Sequence, residues 1–285
     1  MKIAITGAAG FIGRHVLAEL ASQSVEIVAV DRRLVQPDLC DADFESVQLA
    51  MEDCSEGTFS QLGEPDCVIH LAWGGLPNYR SLHHFQDELP LQYRFLSQLI
   101  TSGLNSLVVV GTCFEYGMQS GELTETMYPQ PDNPYGYAKN CLRQQLAFLQ
   151  NENPFNLAWA RLFYLYGDGQ AENSLLPQLK RAVELGDSVF NMSGGEQLRD
   201  FLSINDVAQK LVTLAIHQSN IGVVNLCSGK PISVRRLVEG WIKENNWDIQ
   251  LNLGYYPYPD YEPLAFWGNS TKLYHHLASL KPTNR

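Results

Sequence analysis

The chain has 285 residues, 45% of them hydrophobic, with 20 basic against 31 acidic side chains and a formal charge of −11 at pH 7. That length and apolar content support a large buried core, which excludes a small stapled scaffold, and no apolar run reaches the roughly 20 residues that cross a bilayer, so a soluble protein with no membrane partner is expected. The negative charge opposes binding to nucleic acid, yet leaves room for a small anion held by local arginines or a helix N-terminus.

In chain order, the opening KIAITG reads as a strand that runs straight into glycines, without the long apolar region or cleavage site of a secretory signal. The mature chain is therefore expected to begin at Met1. Further strands are predicted at VEIVAVD, the weaker SVQLAM, DCVIHLAW, SLVVVGT and FNLAWARLF, separated by helical segments such as 13–22, 85–102 and 135–151. Continuous apolar runs alternating with helices predict parallel strands buried on both faces, hence an α/β doubly wound parallel sheet of the Rossmann type. After Gly167 the pattern loosens. The polar pieces GDGQAENS and NMSGGEQ, helices at 205–217 and 233–245 and the segment GYYPYPDYEP predict a smaller C-terminal substrate lobe. The expected division is 1–167 for the dinucleotide-binding domain, with 198–227 returning to it, and 168–197 with 228–285 for the substrate lobe.

The six cysteines, at 40, 54, 67, 113, 141 and 227, show no CxxC spacing. Free thiols in a reducing compartment, and so a cytoplasmic protein, are expected. The pairs His83-His84 and His275-His276 lack the spacing of three or four that puts two ligands on one helical face, so no metal is expected. His70, inside a strand, is expected to be a hydrogen-bonded core residue.

The segment KIAITGAAGFIGRHVLAEL places Gly7, Gly10 and Gly13 between a strand and an amphipathic helix. Glycine there permits a tight turn, lets the backbone approach a pyrophosphate and lets helix pack on strand, while the helix N-terminus offers amide donors. A dinucleotide site follows, with Phe11 and Ile12 part of the same loop. Asp31, closing VEIVAVD, is placed to accept both ribose hydroxyls of the adenosine, which favours NAD. Arg32 and Arg33 follow at once and leave NADP open, because a guanidinium there pairs with a 2′-phosphate. Asp53 reads equally as an acceptor for the adenine amino group or as a solvated loop acid.

Tyr135 and Lys139 stand four apart in NPYGYAKN behind a helix-starting Pro134, so both project from one helical face. An ammonium near a phenol favours phenolate and lowers the tyrosine pKa, and it can also hold a nicotinamide ribose. Thr112 ends the strand SLVVVGT at the sheet edge where doubly wound folds bind ligands, so its hydroxyl is placed to hydrogen-bond a substrate oxygen.

Together TGAAGFIG with Asp31, HLAW at 70–73, GTCFEYG at 111–117, NPYGYAK at 133–139, RLFYLYG at 161–167 and QLRDFLSINDVA at 197–208 resemble the extended short-chain dehydrogenase/reductase family. The nearest group is the nucleotide-sugar epimerases, dehydratases and ketoreductases. The resemblance implies Thr112, Tyr135 and Lys139 as the catalytic trio and Leu71, Ala72 and Trp73 along the nicotinamide side of the cleft. It also implies Asn173 and Ser174 along the nucleotide, Arg199 on the diphosphate of a nucleotide-sugar substrate, and a homodimer. For Arg199 the alternative is a structural bridge to Asp200 or Asp206.

Departures from the family pattern narrow the reaction. The 4,6-dehydratases carry Asp-Glu directly after the catalytic threonine, where this chain has Cys113 and Phe114, and Glu115 is one position too far along and expected on the opposite strand face. Dehydration is therefore not expected, and Cys113 is expected to be a packed thiol. Tyr164 replaces an asparagine used by many 4-epimerases, and YYPYPDYEPLAFW offers no second diphosphate arginine. These differences favour a 4-ketoreductase, or its reverse 4-dehydrogenase, over a 4-epimerase with retained NAD or a non-enzymatic NAD(P) sensor.

Overall fold

The computed structural model describes residues 1–36, 43–258, 260 and 262–280, so Cys40 and Tyr261 lie outside the described residues. From the N-terminus, β1 (Lys2–Thr6) leads into α1 (Phe11–Ala21), followed by β2 (Glu26–Asp31), β3 (Glu45–Gln48), the single turn α2 (Thr58–Gln61) and β4 (Cys67–His70). A π-helical turn, His84–Glu88, precedes α3 (Leu89–Thr101), which carries Pro90 in its first turn, so the single helix predicted at 85–102 is split in two. Next come β5 (Ser106–Thr112), β6 (Gly121–Leu123), α4 (Pro134–Glu152), β7 (Asn156–Leu162) and β8 (Tyr164–Tyr166). The remaining elements are α5 (Leu175–Glu184), β9 (Val189–Asn191), β10 (Leu198–Ser203), α6 (Ile204–Ile216), β11 (Gly222–Leu226), β12 (Pro231–Ser233), α7 (Val234–Asn245), β13 (Gln250–Asn252), β14 (Phe266–Gly268) and α8 (Thr271–Leu280).

Seven strands form one parallel sheet in the order β11-β7-β5-β4-β1-β2-β3. The interior strand β5 is buried along its whole length, as the uninterrupted SLVVVGT requires of a strand covered on both faces. On one face, Val16, Leu17 and Leu20 of α1 pack with Val207, Leu211 and Leu214 of α6. On the other, Phe95, Leu96 and Leu99 of α3 meet Leu142 and Leu146 of α4. Strand order reverses between β1 and β4, which opens the crevice where such sheets take ligands. A separate cluster joins Leu176 and Leu179 of α5 to Phe190, Met192, Val238, Trp241 and Ile249. Among the described residues no helix is long and apolar enough to cross a membrane, and the five described cysteines are unpaired.

Candidate active site

The glycine-rich turn is shaped by close backbone contact. Gly7 takes φ +70°, where side chains are disfavoured, and a Cβ on Gly13 would fall 2.2 Å from the Gly7 carbonyl oxygen and 2.6 Å from that of Ala8. The space a Cβ would fill is therefore used to seat α1 on its own loop, leaving a groove of 640 Å³ bordered by Gly7, Ala9 and Gly10. Asp31 is fixed at the groove by accepting from the Ala9 amide (3.2 Å) and the Arg32 amide (2.8 Å). Arg32, Arg33, Leu71, Ala72 and Trp73 border the same groove. This cradle fits a dinucleotide: bare backbone faces the phosphate position, and a carboxylate closes the ribose end.

Three expectations shift. Phe11 packs edge-on against His15, with ring centroids 5.9 Å apart, and Ile12 faces the neighbouring cavity rather than the groove. Asp53 is exposed at the end of a short 3-10 turn, and that turn presents Met51 and Glu52 to the groove in its place. Sequence reasoning missed Glu88, a buried carboxylate in the groove that accepts from Gln92 Nε2 at 2.8 Å and lies 3.3 Å from His83 Nε2. Its neighbour Gly74 has no room for a Cβ beside Glu88 Oε1, the one signal that ties the two positions together.

A second cavity, of 580 Å³, holds Thr112, Tyr135 and Lys139, and Leu71 and Trp73 border both spaces. Helix α4 delivers two of the three. Asn133 caps it by accepting from the Gly136 amide at 2.9 Å, Pro134 starts it, and the stripe that buries Leu142 and Leu146 also carries Tyr135 and Lys139. A Cβ on Gly136 would stand 2.5 Å from the Phe114 carbonyl oxygen, so the helix start rests directly on the turn after Thr112. The Thr112 hydroxyl oxygen accepts from the Phe114 amide at 3.2 Å, and the hydroxyl borders the cavity beside Tyr135.

The electrostatics differ from the simple lysine–phenolate expectation. Lys139 Nζ donates to the Val110 carbonyl at 2.9 Å and sits 4.0 Å over the Trp73 ring, but 5.9 Å from the Tyr135 ring centre. Trp73, Tyr79, His84 and Phe114 all pack around Tyr135 at 5.2–6.4 Å between ring centres. Burial in this aromatic box pushes the phenol well above its ordinary value and pushes Lys139 down to about 7. Desolvation is the largest cause of both shifts, so Tyr135 is protonated in the free protein. His84 accepts from Trp73 Nε1 on Nδ1 (3.1 Å) and meets the Asn78 carbonyl with Nε2 (2.8 Å), which fixes a neutral imidazole and the indole together.

The residues after Thr112 form a 3-10 turn, Cys113–Tyr116, rather than more strand. Glu115 folds back beneath it, fully buried. Oε1 accepts from the Thr112 amide (3.0 Å) and Trp159 Nε1 (2.9 Å), and Oε2 from Arg161 Nε (2.8 Å). Cys113 is a buried thiol that desolvation pushes up to about 12. His70 is a core residue hydrogen-bonded to Thr6 Oγ1 at 2.9 Å. Asn173, Ser174 and Arg199 border the same cavity as the trio. Arg199 is buried but pairs with neither Asp200 nor Asp206. It reaches Glu262 Oε2 (2.9 Å) and the carbonyls of Leu198 (2.8 Å) and Leu264 (3.1 Å), while Asp200 is taken by Ser228 and Gly229. Tyr164 donates its hydroxyl to Glu262 Oε1. Among the described residues no group of three or more His, Cys, Asp or Glu side chains is arranged to hold a metal ion.

A parallel sheet with a glycine cradle at its switch point and a Thr, Tyr and Lys cavity opening onto it defines a dinucleotide-dependent short-chain dehydrogenase or epimerase. Residues 3–227 match the family model described as NAD dependent epimerase/dehydratase family. The chain is 32% identical over 273 residues to a dTDP-6-deoxy-L-talose 4-dehydrogenase (NAD(+)) of Aggregatibacter actinomycetemcomitans, covering 94% of this chain and 99% of that protein. It is 25% identical to a GDP-6-deoxy-D-talose 4-dehydrogenase of the same organism, over 84% of this chain and 78% of that one. The solved structure of MoeE5 in complex with UDP-glucuronic acid and NAD superposes with a TM-score of 0.82 at 25% identity, covering 98% of this chain and 93% of that one. The chain belongs to the NAD dependent epimerase/dehydratase family.

Proposed function

We propose that the protein is an NAD-dependent nucleotide-sugar 4-dehydrogenase, or 4-ketoreductase in the reverse direction. The observation that carries this reading is the cavity in which Thr112, Tyr135 and Lys139 open through Leu71 and Trp73 onto the groove closed by Asp31, with Cys113 and Phe114 where a dehydratase needs its acid and base. The similarity to 4-dehydrogenases of nucleotide 6-deoxy sugars supports it. Gly7, Gly10 and the N-terminus of α1 would hold the pyrophosphate and Asp31 the ribose diol.

A nicotinamide cofactor held there would supply the hydride chemistry for C4 of the sugar. Tyr135 exchanges the proton of the 4-hydroxyl through its phenol oxygen. Its protonated state in the free protein suits donation to a 4-ketone, and Lys139 in its ammonium form favours the phenolate needed in the opposite direction. Thr112 orients the same substrate oxygen with its O–H. Asn173 and Ser174, at the start of α5, lie along the nucleotide in this reading. Arg199, with three of its five N–H donors committed, keeps two for the diphosphate. A homodimer is supported by the exposed Tyr137 and Phe148 on α4, and a cytoplasmic location by the unpaired described cysteines.

The test is to incubate the enzyme with NAD or NADH and a panel of dTDP-, GDP- and UDP-sugars and their 4-keto forms, following reduced cofactor. Stoichiometric formation or consumption of NADH with a 4-hydroxy or 4-keto sugar is expected. Tyr135→Phe should lower turnover at least about 100-fold while NAD affinity stays near wild type. Inversion at C4 with co-purified NAD and no net change in NADH would replace the reading with a 4-epimerase, and equal turnover of Tyr135→Phe would remove Tyr135 from the chemistry.

A further inference from the structure

The cavity that holds the trio also carries a buried ion pair. Arg199 and Glu262 are separated by 2.9 Å, with side chains 3% and 10% exposed. Arg199 comes from β10 and stacks at 4.5 Å on the ring of Phe266 in β14, while Glu262 stands in the segment leading into β14 and also accepts from the Tyr164 hydroxyl. Both charges face the same space as Thr112 and Tyr135, and Cys113, the residue after Thr112, is close enough to feel them. A sugar that reaches the trio enters the same cavity as this pair.

A guanidinium already matched by a carboxylate offers no surplus positive charge. Glu262 is matched in the same way, so the pair as a whole is neutral: it offers polar groups suited to sugar hydroxyls and no free cation for a sugar carboxylate, which would be buried unpaired in a dry site. We propose that Glu262 determines the charge of the sugar accepted, admitting neutral hexoses and rejecting uronic acids. This rests on the nucleotide-sugar reading above and deepens it. Discrimination of this kind is a difference between two affinities, produced here by leaving the charge of the wrong substrate without a partner.

The test measures affinity rather than turnover. Calorimetric titration of the protein with NAD present uses matched probes, dTDP-glucose against dTDP-glucuronic acid and UDP-glucose against UDP-glucuronic acid. Wild type should bind the neutral member at least about tenfold more tightly. Glu262→Gln leaves Arg199 with an unmatched charge that can pair with a uronic carboxylate, so the uronic-to-neutral affinity ratio should rise at least about tenfold. Glu262→Asp and Tyr164→Phe, which keep the carboxylate, should preserve the wild-type preference. Equal binding of neutral and uronic members by wild type would overturn the inference without any variant, as would an unchanged ratio in folded Glu262→Gln. Failure of wild type to bind either neutral probe would instead remove the nucleotide-sugar reading and this inference with it.

Discussion

Glu115→Gln is the sharpest probe of how the site is supported. The carboxylate is fully buried and its partner Arg161 is 1% exposed. Both oxygens are used, one by the Thr112 amide and the Trp159 indole, the other by Arg161. A glutamine must turn its amide nitrogen toward one of these donors, so at least one bond becomes a donor-to-donor contact whichever way it is flipped, and the Arg161 charge is left uncompensated. Removing one member of a buried ion pair costs about 3–5 kcal/mol. At about 2–4 °C per kcal/mol for a chain of this size, the melting temperature should fall by on the order of 10 °C. Turnover should fall with it, because the Thr112 amide loses its anchor. Calorimetric melting of wild type, Glu115→Gln and the double variant Glu115→Gln/Arg161→Met decides the matter. The double variant should recover part of the loss, since replacing both charges removes the unpaired one. A single variant that melts within about 2 °C of wild type yet has no turnover would refute the structural role and place Glu115 in the chemistry instead.

Two further outcomes follow from the geometry. Gly13→Ala puts a Cβ 2.2 Å from the Gly7 carbonyl oxygen, so α1 must move off its loop and NAD affinity should drop at least about tenfold in a fluorescence titration, with wild-type affinity showing that the loop yields freely. His70, which burial pushes from 6.5 down to about 3, stays neutral in the folded protein while the unfolded chain binds a proton below pH 6.5. Its contribution is full above that pH and declines by up to about 1.4 kcal/mol per unit as pH falls towards 3, so urea melts of His70→Asn should show a flatter loss between pH 7 and pH 5 than wild type.

What was legible in the sequence is what local pattern encodes. SLVVVGT could only be a strand buried on both faces, and the glycines of TGAAGFIG mark the places where backbone meets backbone. Tyr135 and Lys139 were readable because i, i+4 spacing on a capped helix fixes one face. Contacts between distant segments left no such trace. The pairing of Arg199 with Glu262 joins residues 63 positions apart, and that of Glu115 with Arg161 joins residues 46 apart. The same limit explains why the expected phenolate did not appear. Spacing brings Tyr135 and Lys139 onto one face, but the desolvation that dominates both is supplied by Trp73, Tyr79, His84 and Phe114 from elsewhere in the chain.

The two ends of the cavity are built in different ways, and that difference bears on how one scaffold serves several sugars. At the chemical end the spacing of Thr112 and Tyr135 is set by backbone against backbone: α4 begins on the Phe114 carbonyl at the bare Gly136, and the Thr112 amide is tied to Glu115 beneath the sheet. No single side chain facing the cavity can shift that spacing without first moving a helix. At the other end Tyr164, Arg199 and Glu262 define the wall through side-chain tips alone. Exchanging one of them changes charge and shape toward the sugar while the backbone contacts that align the trio stay in place. Reaction type and substrate choice are therefore mechanically separable in this fold, and sequence departures around residues 164 and 262 carry more information about the sugar than about the hydride step.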